Sequence, residues 1–241
     1  TAYNPLGESY VSGDEPAMTS VKLTVKKAEA QISFFPNTFS KTYDGNQLRT
    51  PGFTTSSRGT VKVEYKPFGA ADSEYSTVAP KNAGKYVIRI SVAETDTYNA
   101  ASIEHDYEIL KKSVTIDGVT VSSKIYDGTT VARITGAGTL SDNYDGENLT
   151  IVMGTAAYDD KNVGTDKTVT FSGFALAGDA ASNYELSAQP ASITAVIFAK
   201  ELTIGGLKVK DKQYDGNTTA EIDGKPALVG VVAGDVLELV N

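Results

Sequence analysis

Three near-identical phrases, KTYDGN at 41–46, KIYDGTT at 124–130 and KQYDGNTT at 212–219, punctuate this chain at a domain-sized interval. Tyr43 to Tyr126 spans 83 residues and Tyr126 to Tyr214 spans 88. A period this long is too great for a solenoid coil, whose turns take roughly 20–50 residues, and it suits folded units joined in series. At offset 88 the match extends both ways: KKSVTIDGVTVSSKIYDGTT at 111–130 faces AKELTIGGLKVKDKQYDGNTT at 199–219, with Ile116 on Ile204. Downstream, DGENLTIV at 145–152 faces AGDVLELV at 233–240.

The first unit is a more distant relative of the second. PKNAGKYVIRISV at 80–92 answers DKNVGTDKTVTFSG at 160–173, and DTYNAAS at 96–102 answers ASNYELS at 181–187. The resulting layout is a closing part of a preceding repeat at 1–32, whole repeats at 33–112 and 113–200, and the first half of a further repeat at 201–241.

Alternation of apolar and polar residues fixes the local structure. In SVKLTVKK, Val21, Leu23 and Val25 share one face while Lys22, Thr24 and Lys26 take the other, the period-2 mark of a half-buried strand. KVEYK at 62–66, KYVIRISV at 85–92, TVTFSGFAL at 168–176 and LKVKDKQY at 207–214 read likewise, with Gly, Asn, Asp and Pro clusters between them. No segment carries a capped helical stripe. The expected fold is all-β, with small sandwich-type (Ig-like) domains end to end and β-grasp-like repeats as the alternative. Within each phrase, Asp-Gly (Asp44-Gly45, Asp127-Gly128, Asp215-Gly216) predicts a tight reversal between flanking strands, because Gly accepts positive φ and Asp bonds nearby backbone. The tyrosine ahead of it is expected to bury its ring as an anchor.

The K-x-YDG-T/N-T phrase, DKNVGTDKTVTFSGF at 160–174, SNYEL at 182–186, the K-x-LTI junction at 200–204 and the GD-x-L-x-L run at 234–239 together resemble the YDG repeats and related mucin-binding glycine-rich (MBG) repeats of bacterial surface proteins. Residues 113–200 resemble a whole YDG unit; residues 33–112, with APKNAGKYVIRISV and DTYNAA, are more similar to the MBG subtype. The resemblance implies a non-enzymatic segment of a secreted or cell-surface adhesin, acting as stalk or spacer and in adhesion, with a host or extracellular glycan or protein as partner. The alternative is a carbohydrate- or protein-binding accessory module of a large secreted enzyme. It carries over no catalytic residues.

Composition narrows the chemistry further. The net charge is −8 and Lys and Arg are not clustered, which disfavours nucleic acid as a partner. There is no cysteine, so disulfides, thiol nucleophiles and Cys-ligated zinc are excluded. The longest apolar run, ALVGVVAG at 227–234, is too short to cross a bilayer, so no membrane insertion is expected of this segment. The opening residues show no signal-peptide pattern, and an address is expected to lie in a larger precursor if the chain is exported.

Candidate sites are few. His105, the single histidine, alternates in phase with Ile103, Tyr107 and Ile109 and faces Ile193 in the repeat alignment, so it reads as a packing position. The carboxylate clusters Asp159–Asp160 and Asp142, Asp145 and Glu147 lie in turn-rich stretches and read as solvated loop acids rather than a glycosidase pair. No cofactor is expected. Calcium is the one ion considered, through Asp117 and Asp211 at the joints, without an Asp-x-Asp-x-Asp-Gly loop to hold it. Tyr65, Phe68 and Tyr75 form the candidate ligand patch, because flat aromatics stack on sugar faces. Asn82 and Asn162 recur where a Lys–Asn isopeptide bond could form, and NLT at 148–150 and NTT at 217–219 read as Thr-rich strand text rather than glycosylation sites. A half repeat at 201–241 would leave apolar strands such as VLELV uncovered and open to edge pairing with another chain.

Overall fold

The computed structural model describes residues 24–35, 39–144 and 146–240. The chain is all-β: strands and two single-turn 3-10 helices make up its regular structure, with no α-helix among the described residues. The front of the expected strand at 20–27 and most of the 1–32 segment lie outside the described residues, and residues 24–27 are not strand.

The first unit is built on a four-stranded sheet in the order Ser40–Thr42, Ala101–Leu110, Gly84–Val92, Val61–Pro67. Gly84–Val92 is its centre, antiparallel to both Val61–Pro67 and Ala101–Leu110. The alternation seen in KYVIRISV is realised there: Ile88, Ile90 and Val92 are buried on one face. The strand that enters the first phrase, Ser40–Thr42, runs parallel to the end of Ala101–Leu110, with Lys41 opposite Ile109.

The second unit is a seven-stranded sheet in the order Lys124–Ile125, Ile193–Phe198, Gly164–Ser172, Thr155–Tyr158, Val131–Ser141, Lys112–Ser122, Tyr184–Leu186. It curls around a core of Ile116, Val119, Ala132, Tyr158, Val169, Phe171 and Ile197. The strand Lys112–Ser122 changes phase midway, burying Val114 and Ile116 and then Val119. Gly118 explains the change, since its φ of +74° inserts a kink that no β-branched residue would accept. The run TVTFSGFAL is two strands rather than one, because Gly173 at φ +75° ends Gly164–Ser172 before Ala175–Ala177 begins.

Between the units a single residue, Lys111, separates the strand Ala101–Leu110 from Lys112–Ser122. The cores do not stop at this joint. Tyr43, Leu48, Tyr65, Ile88, Tyr107 and Ile109 of the first unit form one cluster with Val114, Ala180 and Tyr184 of the second. Sandwich-type domains end to end, as expected from the sequence, would each enclose a core of their own; the first core is instead shared across the joint.

Residues 201–240 form two short ribbons, Thr203–Gly205 with Ala227–Val229 and Lys208–Val209 with Ile222–Asp223. The expected strand LKVKDKQY shrinks to Lys208–Val209, because no described strand lies beside residues 210–214.

Candidate functional site: the tyrosine joint

Each phrase folds into the same local latch. Lys41 Nζ donates to Asp44 Oδ1 (2.7 Å) and to the Asn46 carbonyl (2.8 Å). Lys124 Nζ repeats this on Asp127 Oδ1 (2.8 Å) and the Thr129 carbonyl (2.8 Å), and reaches the Val131 carbonyl (3.1 Å). Lys212 Nζ does so on Asp215 Oδ1 (3.0 Å) and the Asn217 and Thr219 carbonyls (3.0 and 2.7 Å). The aspartate's Oδ1 also accepts the backbone N–H two residues on: Asn46 at 2.9 Å, Thr129 at 2.9 Å and Asn217 at 3.2 Å. Gly45, Gly128 and Gly216 all take φ between +72° and +78°, as the turn requires. These lysine and amide contacts lower the carboxyl pKa of Asp44 and Asp215, and hold that of Asp127 down at about 2. The latch is local in sequence and forms in every copy.

The latch is not a tight hairpin, however. In the second copy the phrase sits inside the wide loop joining Lys112–Ser122 to Val131–Ser141, and its own short strand, Lys124–Ile125, turns away to run parallel to Ile193–Phe198. The lysine lets the loop be wide, since one ammonium gathers carbonyls that a hairpin ladder would otherwise satisfy. The recurrence of Lys two residues before each Tyr was the sequence signal for its role.

Beyond the latch the three copies diverge. Tyr43 is 2% exposed. Its N–H donates to the Leu110 carbonyl (2.8 Å) and its hydroxyl to Oε1 of Glu147, in the next unit. The other oxygen of Glu147 accepts the hydroxyl of Tyr184, which itself accepts the N–H of Tyr144 at 3.1 Å. One carboxylate therefore clasps a tyrosine from each side of the joint. The Tyr43 and Tyr184 rings meet edge-on at 5.5 Å. Burial, reinforced by the carboxylate, raises the pKa of both phenols, that of Tyr184 to about 12.

Tyr126 repeats the arrangement one unit on. Its N–H donates to the Phe198 carbonyl (2.8 Å) and its hydroxyl to Asp235 Oδ1 (2.9 Å). The offset of 88 that aligns the phrases places Glu147 on Asp235 and Tyr144 on Val232. Both acids sit at the end of the same turn: Glu147 N–H donates to the Tyr144 carbonyl (3.5 Å) and Asp235 N–H to the Val232 carbonyl (3.1 Å). The phrase glycines face these turns. A Cβ on Gly45 would lie 3.9 Å from Tyr144, and one on Gly128 would lie 2.9 Å from Val232. Tyr214, by contrast, is 98% exposed.

A second contact tightens the first joint. Asn183, buried within SNYEL, accepts the Ala83 N–H (2.8 Å) and donates to Asn82 Oδ1 (3.4 Å). The strand Tyr184–Leu186 then runs parallel to Lys112–Val114, and Ser113 Oγ donates to Glu185 (2.8 Å).

Glu147 is thus a correction: expected as a solvated loop acid, it is half-buried with both oxygens occupied, because two buried phenols need an acceptor. Its candidate partner Asp145 lies outside the described residues, and Asp142 takes φ +63° in the preceding turn. Asp159 and Asp160 are both paired to Lys167, at 3.1 and 2.5 Å, which lowers both carboxyl pKa values. Asp117 accepts only Thr115 Oγ1, at 3.2 Å, and no group of three or more His, Cys, Asp or Glu is gathered for a metal among the described residues. The Asn82 side chain meets Asn183, and Asn162 donates its N–H to Asp160 Oδ1 (2.7 Å).

The aromatic patch is dispersed. Tyr65 is 5% exposed, with its hydroxyl 2.8 Å from Thr50 Oγ1, so it is a core residue. The Tyr75 ring is covered by Arg89 at 3.6 Å and Lys66 at 4.7 Å. Phe68 alone is exposed, and it lines a shallow cleft with Phe39, Lys85, His105 and Asp106. His105 lies in its strand stacked on Phe39 at 3.5 Å, with its edge in water. Sequence reasoning gave His105 a packing role and missed its place on this cleft, since Phe39 reaches it from a distant segment.

The architecture defines a class: a chain of β units in which a tyrosine of one is held by a carboxylate of the next. Within it, residues 110–192 are a YDG domain. That span carries the second phrase, the Glu147 turn and SNYEL. Neither a curated protein nor a solved structure matches the chain.

Proposed function

We propose that this chain is a non-enzymatic stalk or spacer segment of a bacterial extracellular or cell-surface adhesin. In this reading, small sandwich-type β domains stand end to end, with an MBG-type repeat at 33–112 before the YDG domain, and hold a binding region away from the cell. The observation that carries the reading is the joint: one residue between consecutive strands, a core cluster shared across it, and a carboxylate clasping tyrosines from both sides. A linker of several free residues would let units swing independently; a one-residue joint between two hydrogen-bonded strands resists bending. The phrase tyrosines act in positioning rather than catalysis. No cofactor enters this reading, and calcium is not needed at a joint held by phenol–carboxylate bonds, so neither chelator nor added calcium is expected to move the melting temperature. Small-angle scattering tests the stalk: an elongated particle is expected, and a near-spherical one rules it out.

A second reading, an accessory module that binds carbohydrate or protein, is favoured by the Phe39–Phe68–His105 cleft. Glycan-array binding that disappears on Phe68→Ala would select it; an array blank for the unaltered chain removes it.

A further inference from the structure

We infer that the first and second units are each built as a tension clamp, in which the segment entering the unit is pinned sideways to the segment leaving it, with the phrase tyrosine as the final rung. The inference takes its purpose from the stalk reading and its geometry from strand direction alone. Four parallel pairings occur among the described residues, and each joins an entering segment to a departing one. In the first unit Ala28–Glu29 runs beside Tyr98–Asn99, and Ser40–Thr42 beside Glu108–Leu110. In the second, Lys112–Val114 runs beside Tyr184–Leu186, and Lys124–Ile125 beside Ile197–Phe198. The other described strands of both units pair antiparallel. A parallel pair is slightly less stable per residue and needs a long crossover, so its recurrence at these places asks for a reason.

Direction supplies the reason. Tension along the chain draws an entering strand backwards from its N-terminal end and a departing strand forwards from its C-terminal end. Two parallel neighbours pulled in this way slide past each other, and all the bonds between them are strained at once. Strands pulled apart from a shared end lose their bonds one at a time. In the first unit the bonds across the clamp include Ala28 N–H to the Thr97 carbonyl (2.9 Å), Glu108 N–H to the Phe39 carbonyl (2.9 Å) and Tyr43 N–H to the Leu110 carbonyl (2.8 Å). The Tyr43 hydroxyl adds a charge-assisted bond to Glu147 in the next unit, so the entering strand cannot slip back without tearing that contact as well. Tyr126 closes the second clamp in the same way, on the Phe198 carbonyl (2.8 Å) and on Asp235 Oδ1 (2.9 Å). Equilibrium stability is indifferent to where the chain is pulled; resistance to force is a rate, set by what must break before the unit opens.

The chain has no cysteine, so a pair of introduced cysteines fixes the handles of a single-molecule force measurement at chosen points of the full chain. Val25→Cys with Lys111→Cys pulls the first unit along its chain direction, and Gln47→Cys with Lys111→Cys pulls the Ser40–Thr42 pairing from its shared end; all three positions are exposed. Three paired positions resist together in the first geometry and one after another in the second, so the first should need about threefold more force. Equal forces, or the reverse order, overturn the proposal. Within the first geometry, Tyr43→Phe should lower the force more than Ile90→Ala, which empties the core away from the clamp and costs at least as much stability in urea. A force that follows urea stability instead overturns the place of the tyrosine as the final rung. A compact particle in scattering would remove the stalk and leave the ratio of forces standing; a ratio of one removes the clamp from a particle of any shape.

Discussion

Tyr126 and Tyr214 occupy the same words of sequence, yet one lies against a carboxylate and the other in water. Their latches are alike to within a few tenths of an ångström in the lysine–aspartate contact, at 2.8 and 3.0 Å. The hairpins that carry them pair in the same register. The difference begins where contacts become distant in sequence: Ile116 is 3% exposed and its counterpart Ile204 is 54% exposed. Turn chemistry is therefore complete within about ten residues, while burial is supplied by strands some 40–80 residues downstream. A repeat of this kind is not a self-sufficient bead. Its latch is complete within the phrase and the core of the second unit comes from its own later strands, but the tyrosine partner comes from the next unit.

The largest effect that sharpens this contrast is a paired truncation. Ile116→Ala should cost about 2–5 kcal/mol, because it opens a cavity among Val119, Leu140 and Ile197. Ile204→Ala removes the same atoms from a solvated position and should stay within about 0.5 kcal/mol. Urea unfolding of both variants measures the pair. Equal losses would mean that the third hairpin has found a cover of its own in solution, and the comparison would fail.

The same division explains what was legible in the sequence. The all-β class, the strand runs around Ile88 and Val169, and the Asp-Gly turns arise from alternation and turn chemistry, which act over a few residues. The short joint at Leu110–Lys112 has a sequence counterpart, since no Gly or Pro cluster interrupts EILKKSVTI. Glu147 was misread because its partners lie 104 and 37 residues away, and no local pattern distinguishes a clasped acid from a solvated one. Its recurrence as Asp235 at the shared offset was the available signal, since an acid kept beside a turn glycine has a reason to be there. Tyr65 was misplaced for a related cause: a strand tyrosine faces core or solvent according to register, which VEYK alone does not set.

The clasp should yield to alkali. Tyr43→Phe removes one charge-assisted hydrogen bond from Glu147 and is expected to cost about 1.5–3 kcal/mol, measured by urea unfolding. The pKa of Tyr184 rises from an ordinary 10.0 to about 12 in the folded chain, and that of Tyr43 rises as well. A phenol whose pKa is raised by folding contributes stability that is fully present below pH 10 and lost as pH climbs through the folded value. The wild-type chain should therefore lose stability from about pH 10 towards about pH 12, and Tyr43→Phe should flatten that loss. An alkaline limb unchanged by Tyr43→Phe would show that the joint does not report through its phenols.

The smallest effect belongs to the latch, and it acts at the other end of the pH scale. Lys124 and the Thr129 amide hold the Asp127 carboxyl at about 2, below its ordinary 3.8. A carboxyl depressed by folding contributes stability that is present above its ordinary value and lost as pH falls through the folded one, so this contribution fades between about pH 4 and pH 2. The Asp127 side chain is half exposed, and solvent screens most of the pair. Lys124→Met should accordingly cost under about 1 kcal/mol at neutral pH and shrink the acid loss by a comparable amount. Because the latch forms in every copy, Lys212→Met should loosen the third turn to the same degree, read as faster amide exchange at Asn217 and Thr219. Were Lys212→Met silent in exchange while Lys124→Met was not, the latch too would depend on the neighbouring unit, and no part of the repeat would fold on its own account.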